Sequence, residues 1–189
     1  MGTAFRRTRD GAYTCTLHRA EADLLRSLAG QLLELLADGE PEPRPDAGSD
    51  LLAEVLDLAS PEPPEDPVLR RLFPDAYADT PAASDFRRYT ERGLRDLKRR
   101  TALVVLTDLD RAEPHRDGRA VLRVGADDAQ AWLRALTDLR LALGTRLGIE
   151  QGVEPDFDAD DRDDPRRYVH GVYEWLGWLQ DSLVRAVMR

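Results

Sequence analysis

The residues best suited to chemistry are basic side chains that recur at helical spacing between positions 88 and 99. Spacings of three and four residues place them on one side of a helix. Guanidinium groups one turn apart suit phosphates or an acidic protein surface. The same pattern is also typical of a solvated helix face, here partly neutralised by Asp85, Glu91 and Asp96. The predicted partner-binding or nucleic-acid-binding residues are Arg88, Arg92, Arg95, Lys98 and Arg99.

The single cysteine, Cys15, is the second candidate for chemistry. Alternation after Asp10-Gly11 predicts a strand in which Cys15 shares one face with Tyr13 and Leu17. A thiol near the surface is open to oxidation. Its apolar neighbours instead favour an inert, buried side chain. One cysteine excludes an intramolecular disulfide and a cysteine-based zinc site in this chain, and is typical of a reducing compartment.

No other stretch has the spacing of a catalytic or metal site. The D-x-D-x-D run at Asp156, Asp158 and Asp160 opens like a calcium loop, but Asp161 stands where glycine is needed and Arg167 where glutamate is needed. The three histidines stand far apart, and no nucleophile elbow or glycine-rich phosphate loop occurs. We therefore expect neither an enzyme nor a bound metal or cofactor.

Composition limits the classes of protein to which the chain can belong. The 189 residues are enough for one domain spanning 1–189, with 42% hydrophobic residues for its core. Proline- and acid-rich stretches near 39–49, 60–67 and 151–164 are expected to be mobile loops. A formal charge of −9 argues against non-specific coating of nucleic acid, although local basic faces act over about 8–10 Å. No stretch is long and apolar enough for a membrane span or signal peptide, so we expect a cytoplasmic protein.

The elements that must position these residues form an α+β fold that is mostly α. We predict five or six helices on a small antiparallel three-stranded sheet, made of an N-terminal hairpin and a strand near 119–124. The basic residues fall in a long helix that begins at about Ser84. Its second half is apolar in every direction from Ala102 to Leu106, which predicts burial on all sides. Tyr77, Tyr89 and the tryptophans are expected in the core.

Several motifs together resemble a known family. They are R-R-L-F-P-D-A-Y at 70–77, F-R-R-Y-T-E at 86–91, L-R-x-x-K at 94–98 and W-L-R-A-L-T-D-L-R-L-A-L-G-T-R-L-G-I at 132–149. In this order they resemble the actinobacterial AosR-like family of oxidative-stress transcriptional regulators. The resemblance implies a redox-responsive regulator at promoters, with a stress sigma factor as partner. It also implies sensing by a pair of N-terminal cysteines, which this chain lacks because Cys15 is alone.

Two functions remain open from the sequence. The first is an oxidative-stress-responsive transcriptional regulator whose basic helix face meets DNA, a sigma factor, or both. The alternative is a protein-interaction module or adaptor that binds no DNA, and the resemblance to the AosR-like family implies its link to Clp-dependent proteolysis. The absence of a recognisable helix-turn-helix makes a protein partner as suitable as DNA.

Overall fold

The computed structural model describes residues 2–38, 63–77, 79–115, 117–149 and 164–189. One of the helices that the sequence predicts, from Asp50 to Leu58, lies outside these ranges, as do the predicted loop near 39–49 and all of the predicted loop at 151–164 except Asp164. Most of the family motifs, the basic cluster and Cys15 lie within them. The fold described below is therefore the frame that positions the candidate site.

The sheet is antiparallel, and its strands lie in the order β1-β2-β4-β3. The strands are β1 Arg6–Arg7, β2 Tyr13–His18, β3 Glu113–Pro114 and β4 Arg119–Val124. The predicted hairpin and the strand at 119–124 are confirmed, but the prediction of three strands is wrong because β3 adds a fourth. A two-residue strand containing proline looks like a loop in sequence. Proline is tolerated there because β3 is an edge strand.

One face of the sheet packs against the helices. Alternating side chains of β2 are buried, and their partners on β4 lie on the same side. The facing pairs are Tyr13 with Val124, Cys15 with Leu122, and Leu17 with Ala120. Gly11 has φ of 86°, the left-handed conformation that the predicted hairpin turn after Asp10 needs. The predicted faces of β2 are thus confirmed.

The described residues contain five helices. They are α1 Arg19–Ala37, α2 Pro67–Leu72, α3 Thr80–Asp110, α4 Ala129–Arg146 and α5 Pro165–Val187. Helix α3 has 31 residues and begins four residues before Ser84. The reason is local, since the Asp79 carboxylate accepts a hydrogen bond from the Ala82 amide and caps the helix. Helix α3 packs between α1 and α4, and α5 packs against α4.

Helix α3 joins the core partly through polar contacts. Asp108, near its end, accepts a hydrogen bond of 2.8 Å from the indole Nε1 of fully buried Trp132 on α4. Burial raises the pKa of Asp108. Trp132 also meets the ring of Phe5 edge-on, with centroids 6.1 Å apart. These contacts connect α3, α4 and the segment that leads into β1.

Burial of α3 is one-sided, contrary to the prediction for Ala102–Leu106. Ala102 and Val105 are buried, but Leu103 is 50% exposed because no described element covers that side. Tyr77 and Tyr89 were also predicted in the core and are instead exposed. Trp132 and Trp175 are buried as predicted. An amphipathic helix with an open side is the more accurate description of α3.

We expect Asp108→Ala to lower the free energy of unfolding by about 1–3 kcal/mol, because the buried indole N–H of Trp132 is left without an acceptor. Asp108→Asn keeps an oxygen in place and should cost less than half as much. Asp110→Ala is the matched control, since Asp110 is exposed and its ion pair with Arg26 lies at the surface. Urea unfolding followed by circular dichroism measures all three. An asparagine variant as unstable as the alanine variant would contradict the hydrogen-bond argument.

Candidate partner-binding surface on helix α3

All five predicted basic residues lie on α3, but the helix does not present them together. Arg95 is buried, Lys98 and Arg99 are half-buried, and Arg92 is exposed. The side chain of Arg88 is outside what the structure describes. The predicted basic face therefore divides into residues that hold the fold and residues that face solvent.

Arg95 is 5% exposed and holds the end of α1, so the expectation that it faces solvent is wrong. Its guanidinium donates hydrogen bonds to the carbonyl oxygens of Leu36, at 2.7 Å, and Asp38, at 3.2 Å. The last carbonyl oxygens of a helix have no hydrogen-bond donors within the helix, and the guanidinium of Arg95 provides donors for them here. It also pairs with Glu91 at 2.7 Å and lies 4.8 Å from the centre of the Phe73 ring.

Lys98 joins α3 to α4. Its ammonium donates a 2.6 Å hydrogen bond to Asp138, whose side chain is 7% exposed. Burial raises the pKa of the Asp138 carboxyl, and the neighbouring Lys98 ammonium offsets part of this effect. The pair lies in a groove of about 150 Å³ whose other lining residues are Leu94, Leu97, Thr101, Arg134 and Thr137. Lys98 is thus occupied within the chain.

A mixed surface remains on the solvent side of α3, where helical spacing brings five exposed residues within about 80° of one another around the helix axis. Its cations are Arg92 and Arg100, separated by about 12 Å along the helix. Tyr89 at 77% and Leu103 at 50% exposure add large apolar groups. We call this set the open side of α3: Tyr89, Arg92, Asp96, Arg100 and Leu103.

Cys15 lies on the helix-facing side of β2 and is 3% exposed. Burial is the main cause that raises the pKa of its thiol, and the carboxylate of Glu21 adds to it. The thiolate is the reactive form of cysteine, so a thiol held protonated in the core is a poor nucleophile. The structure places Cys15 in the packing between sheet and helices, and not on the exposed side of α3.

The described residues contain no group of three or more histidine, cysteine, aspartate or glutamate side chains arranged to hold a metal ion. Among the helices of the described ranges, none is long and apolar enough to cross a membrane. The candidate site on the described residues is the open side of α3, which combines cations, a carboxylate and apolar groups.

Comparison with known proteins identifies the family of the chain. A family model described as a domain of unknown function, DUF2017, matches residues 2–187. The chain belongs to the DUF2017 family. Relatives named "Oxidative stress regulator AosR" from Mycobacterium tuberculosis and Mycobacterium bovis are 35% identical over 96% of this chain and 85% of their own length. A "Putative oxidative stress regulator AosR" from Mycobacterium leprae is 35% identical over 89% of this chain and 79% of its own length. No solved structure matches.

The family resemblance inferred from the motifs is confirmed, since these relatives carry the AosR name. In this DUF2017 member, sequence reasoning overlooked Arg100 and took its neighbour Arg99 for the outward residue. The pairs Arg87-Arg88 and Arg99-Arg100 caused the ambiguity, because adjacent positions differ by 100° on a helix. Arg87 is in fact buried and bonded to Asp75. Contacts between residues distant in sequence decide which member of each pair points inward.

We expect Cys15 to react slowly with the disulfide reagent DTNB in the folded protein and fully in denaturant, because its thiol is buried and protonated. The ratio of the two rates should exceed about 100, which corresponds to a protecting free energy of at least ~2.7 kcal/mol. Stopped-flow absorbance measures both rates. A native rate close to that of the unfolded chain would show an accessible thiol and contradict the burial argument.

We expect Arg95→Ala to destabilise the fold by about 3 kcal/mol or more, because it removes a buried cation from carbonyl and carboxylate partners. Arg92→Ala, three residues away and exposed, should change the free energy of unfolding by less than about 0.5 kcal/mol. Urea unfolding compares the two variants with the parent. Equal stability of the two variants would show that Arg95 is dispensable to the core.

Proposed function

We propose that the chain regulates the response to oxidative stress by binding a protein partner through the open side of α3. The relatives named as oxidative stress regulators support a role in the oxidative-stress response. The exposed composition of α3 supports the mode of action. The single observation that carries this choice is that Arg95 and Lys98 are used inside the fold, which leaves a mixed surface instead of a basic one.

The combination of apolar and charged side chains on the open side of α3 suits a protein partner better than DNA. Tyrosine and arginine are the residues that protein interfaces favour, and large apolar groups supply the water-free centre of such an interface. Tyr89 and Leu103 provide the apolar groups, and Arg92 and Arg100 provide cations on the same side. Asp96 lies between these arginines along the helix. Its carboxylate would repel a phosphate backbone but can pair with a cation of a protein.

A stress sigma factor is the partner that we propose. A regulator that binds protein through this surface needs a component of the transcription machinery to act on chosen promoters. The open side spans about 21 Å from Tyr89 to Leu103, the length of four turns. That length matches one helix of a partner lying along α3. Its acidic residues would pair with Arg92 and Arg100, and its apolar residues would cover Leu103.

The test is binding of the Arg92→Glu/Arg100→Glu double variant to the purified stress sigma factor of the same organism. We expect affinity to fall at least about tenfold, because two attractive contacts become repulsive. Calorimetry or biolayer interferometry measures the dissociation constant, and thermal melting verifies that both proteins remain folded.

The control removes the same charge elsewhere. Arg71→Glu/Arg146→Glu changes two other exposed arginines, on α2 and α4, and should leave sigma-factor binding within about twofold. Equal losses in the two double variants would indicate a general charge effect and contradict docking on α3. Binding of a Clp-protease component in place of the sigma factor, with the same dependence on Arg92 and Arg100, would favour the adaptor function.

A further inference from the structure

The N-terminal hairpin carries a second cluster of cations that is separate from α3. Arg6, Arg7 and Arg9 are all exposed, and no acidic residue precedes Asp10. In the described part of the chain none of the three forms an ion pair, unlike Arg123, which pairs with Asp10 at 2.5 Å. Three unpaired guanidinium groups within four positions concentrate positive charge at one corner of the sheet.

The strand geometry distributes these cations around the hairpin. Arg6 lies opposite Thr14, which lies opposite Arg123 on β4, so Arg6 projects on the solvent side of the sheet. Arg7 lies opposite Tyr13 and projects to the other side of the same edge. Arg9 follows in the turn. The hairpin therefore presents guanidinium groups from both faces and from its tip.

The backbone under these side chains is held firmly. Phe5 is buried, its amide donates to the Ser182 hydroxyl on α5 at 3.2 Å, and its ring packs against Trp132. The amide of Gly2 donates to the Glu21 carboxylate at 2.9 Å. A fixed frame lowers the ordering cost of binding, because only the arginine side chains must become immobile.

The chemistry around the arginines selects the kind of partner. The large apolar side chains of this segment, Phe5, Tyr13 and Leu17, are all buried, so the hairpin offers no apolar centre for a protein interface. In protein–DNA contacts, phosphate oxygens accept hydrogen bonds from arginine side chains, threonine hydroxyls and backbone amides. We infer that the N-terminal hairpin binds the phosphate backbone of duplex DNA through Arg6, Arg7 and Arg9.

Much of the acidity of the chain belongs to two segments that are remote from the hairpin in sequence. Segments 39–62 and 150–163 each contain seven acidic residues and one arginine. The other 151 residues therefore hold 25 basic and 22 acidic side chains, a net charge of +3. At physiological salt charges act over about 8–10 Å, so the residues beside the arginines matter most. Residues 1–18 together with Arg123 hold four arginines and one carboxylate side chain, Asp10, which gives a net local charge of +3.

The inference rests on the proposed function for its biological setting, because a regulator that binds DNA and a sigma factor would stabilise their complex at a promoter. It uses different residues from the open side of α3. Loss of DNA binding with sigma-factor binding intact, or the reverse, separates the two proposals.

The test measures binding to a fluorescent duplex of about 20 base pairs and arbitrary sequence, by anisotropy, between about 50 and 200 mM salt. The full-length Arg6→Gln/Arg7→Gln/Arg9→Gln variant should bind at least about tenfold more weakly at the lowest salt. The slope of log K against log salt should become shallower by about 0.9 for each phosphate that the variant no longer neutralises, that is by about 2 to 3. Thermal melting should be unchanged, since all three side chains are exposed.

The matched control is Arg71→Gln/Arg134→Gln/Arg146→Gln, which removes the same charge from exposed positions of α2 and α4. Its slope should stay within about 0.5 of the parent. Absence of DNA binding by the parent at about 50 mM salt, or equal effects of the two triple variants, would overturn the inference. Equal binding of polyglutamate, abolished in the hairpin variant, would assign the arginines to an acidic protein instead. Aggregation of the hairpin variant without a change of slope would assign them to protection of the sheet edge.

Discussion

Arg95 carries a charge into a place where charge is costly, between the end of α1, the Phe73 ring after α2, and α3 itself. A buried guanidinium is stable only when its donors are satisfied, and here two carbonyl oxygens and the Glu91 carboxylate accept from it. This requirement fixes the rotation of α3. With Arg95 turned inward, Lys98, Ala102 and Val105 follow within about 80° of it on one side of the helix, and Tyr89 and Arg100 lie about 120° or more away, towards solvent. Arg92 lies about 60° away in the other direction, at the edge of the open side. The buried contact of Arg95 thus fixes which residues form the centre of the candidate surface.

Charged residues, Arg95 and Lys98, occur on the inward side of α3. The sequence could predict the parts of the fold that depend on neighbouring residues, but not these buried charges. Alternation in β2 and β4 and the leucine stripes of α1, α4 and α5 depend on neighbours in sequence, so the mostly helical α+β class and the sheet faces were predictable. A helical wheel assigns charged residues to solvent. Arg95 departs from that rule because its two carbonyl acceptors are 59 and 57 positions away, and Lys98 because Asp138 is 40 positions away. Spacing along one helix contains no information about such partners. The open side of α3 was missed for the same reason.

The burial of Cys15 bears on how a regulator of this family can respond to oxidants. Its side chain packs opposite Leu122 and belongs to the contact between sheet and helices. Oxidation there would place a larger and more polar group in a close-packed core, which destabilises the fold before it transmits a signal. A response through partner binding does not require thiol chemistry in this chain. Under the proposed function, the stress signal would enter through the availability of the partner, and the chain would contribute recognition.

Overall charge describes this protein poorly, because the acidic excess and the unpaired arginines belong to different parts of the chain. The acidic residues of 39–62 and 150–163 more than account for the formal charge of −9. Elsewhere carboxylates pair arginines individually, which neutralises the exposed Arg123 and holds Arg87 and Arg95 in buried positions, away from a polyanion. Arginines that lack such pairing on an apolar background are suited to protein, and those on a polar hairpin are suited to phosphate. Whether an arginine is paired and whether its surroundings are apolar decide which partner it can bind, more than the number of arginines in the chain does.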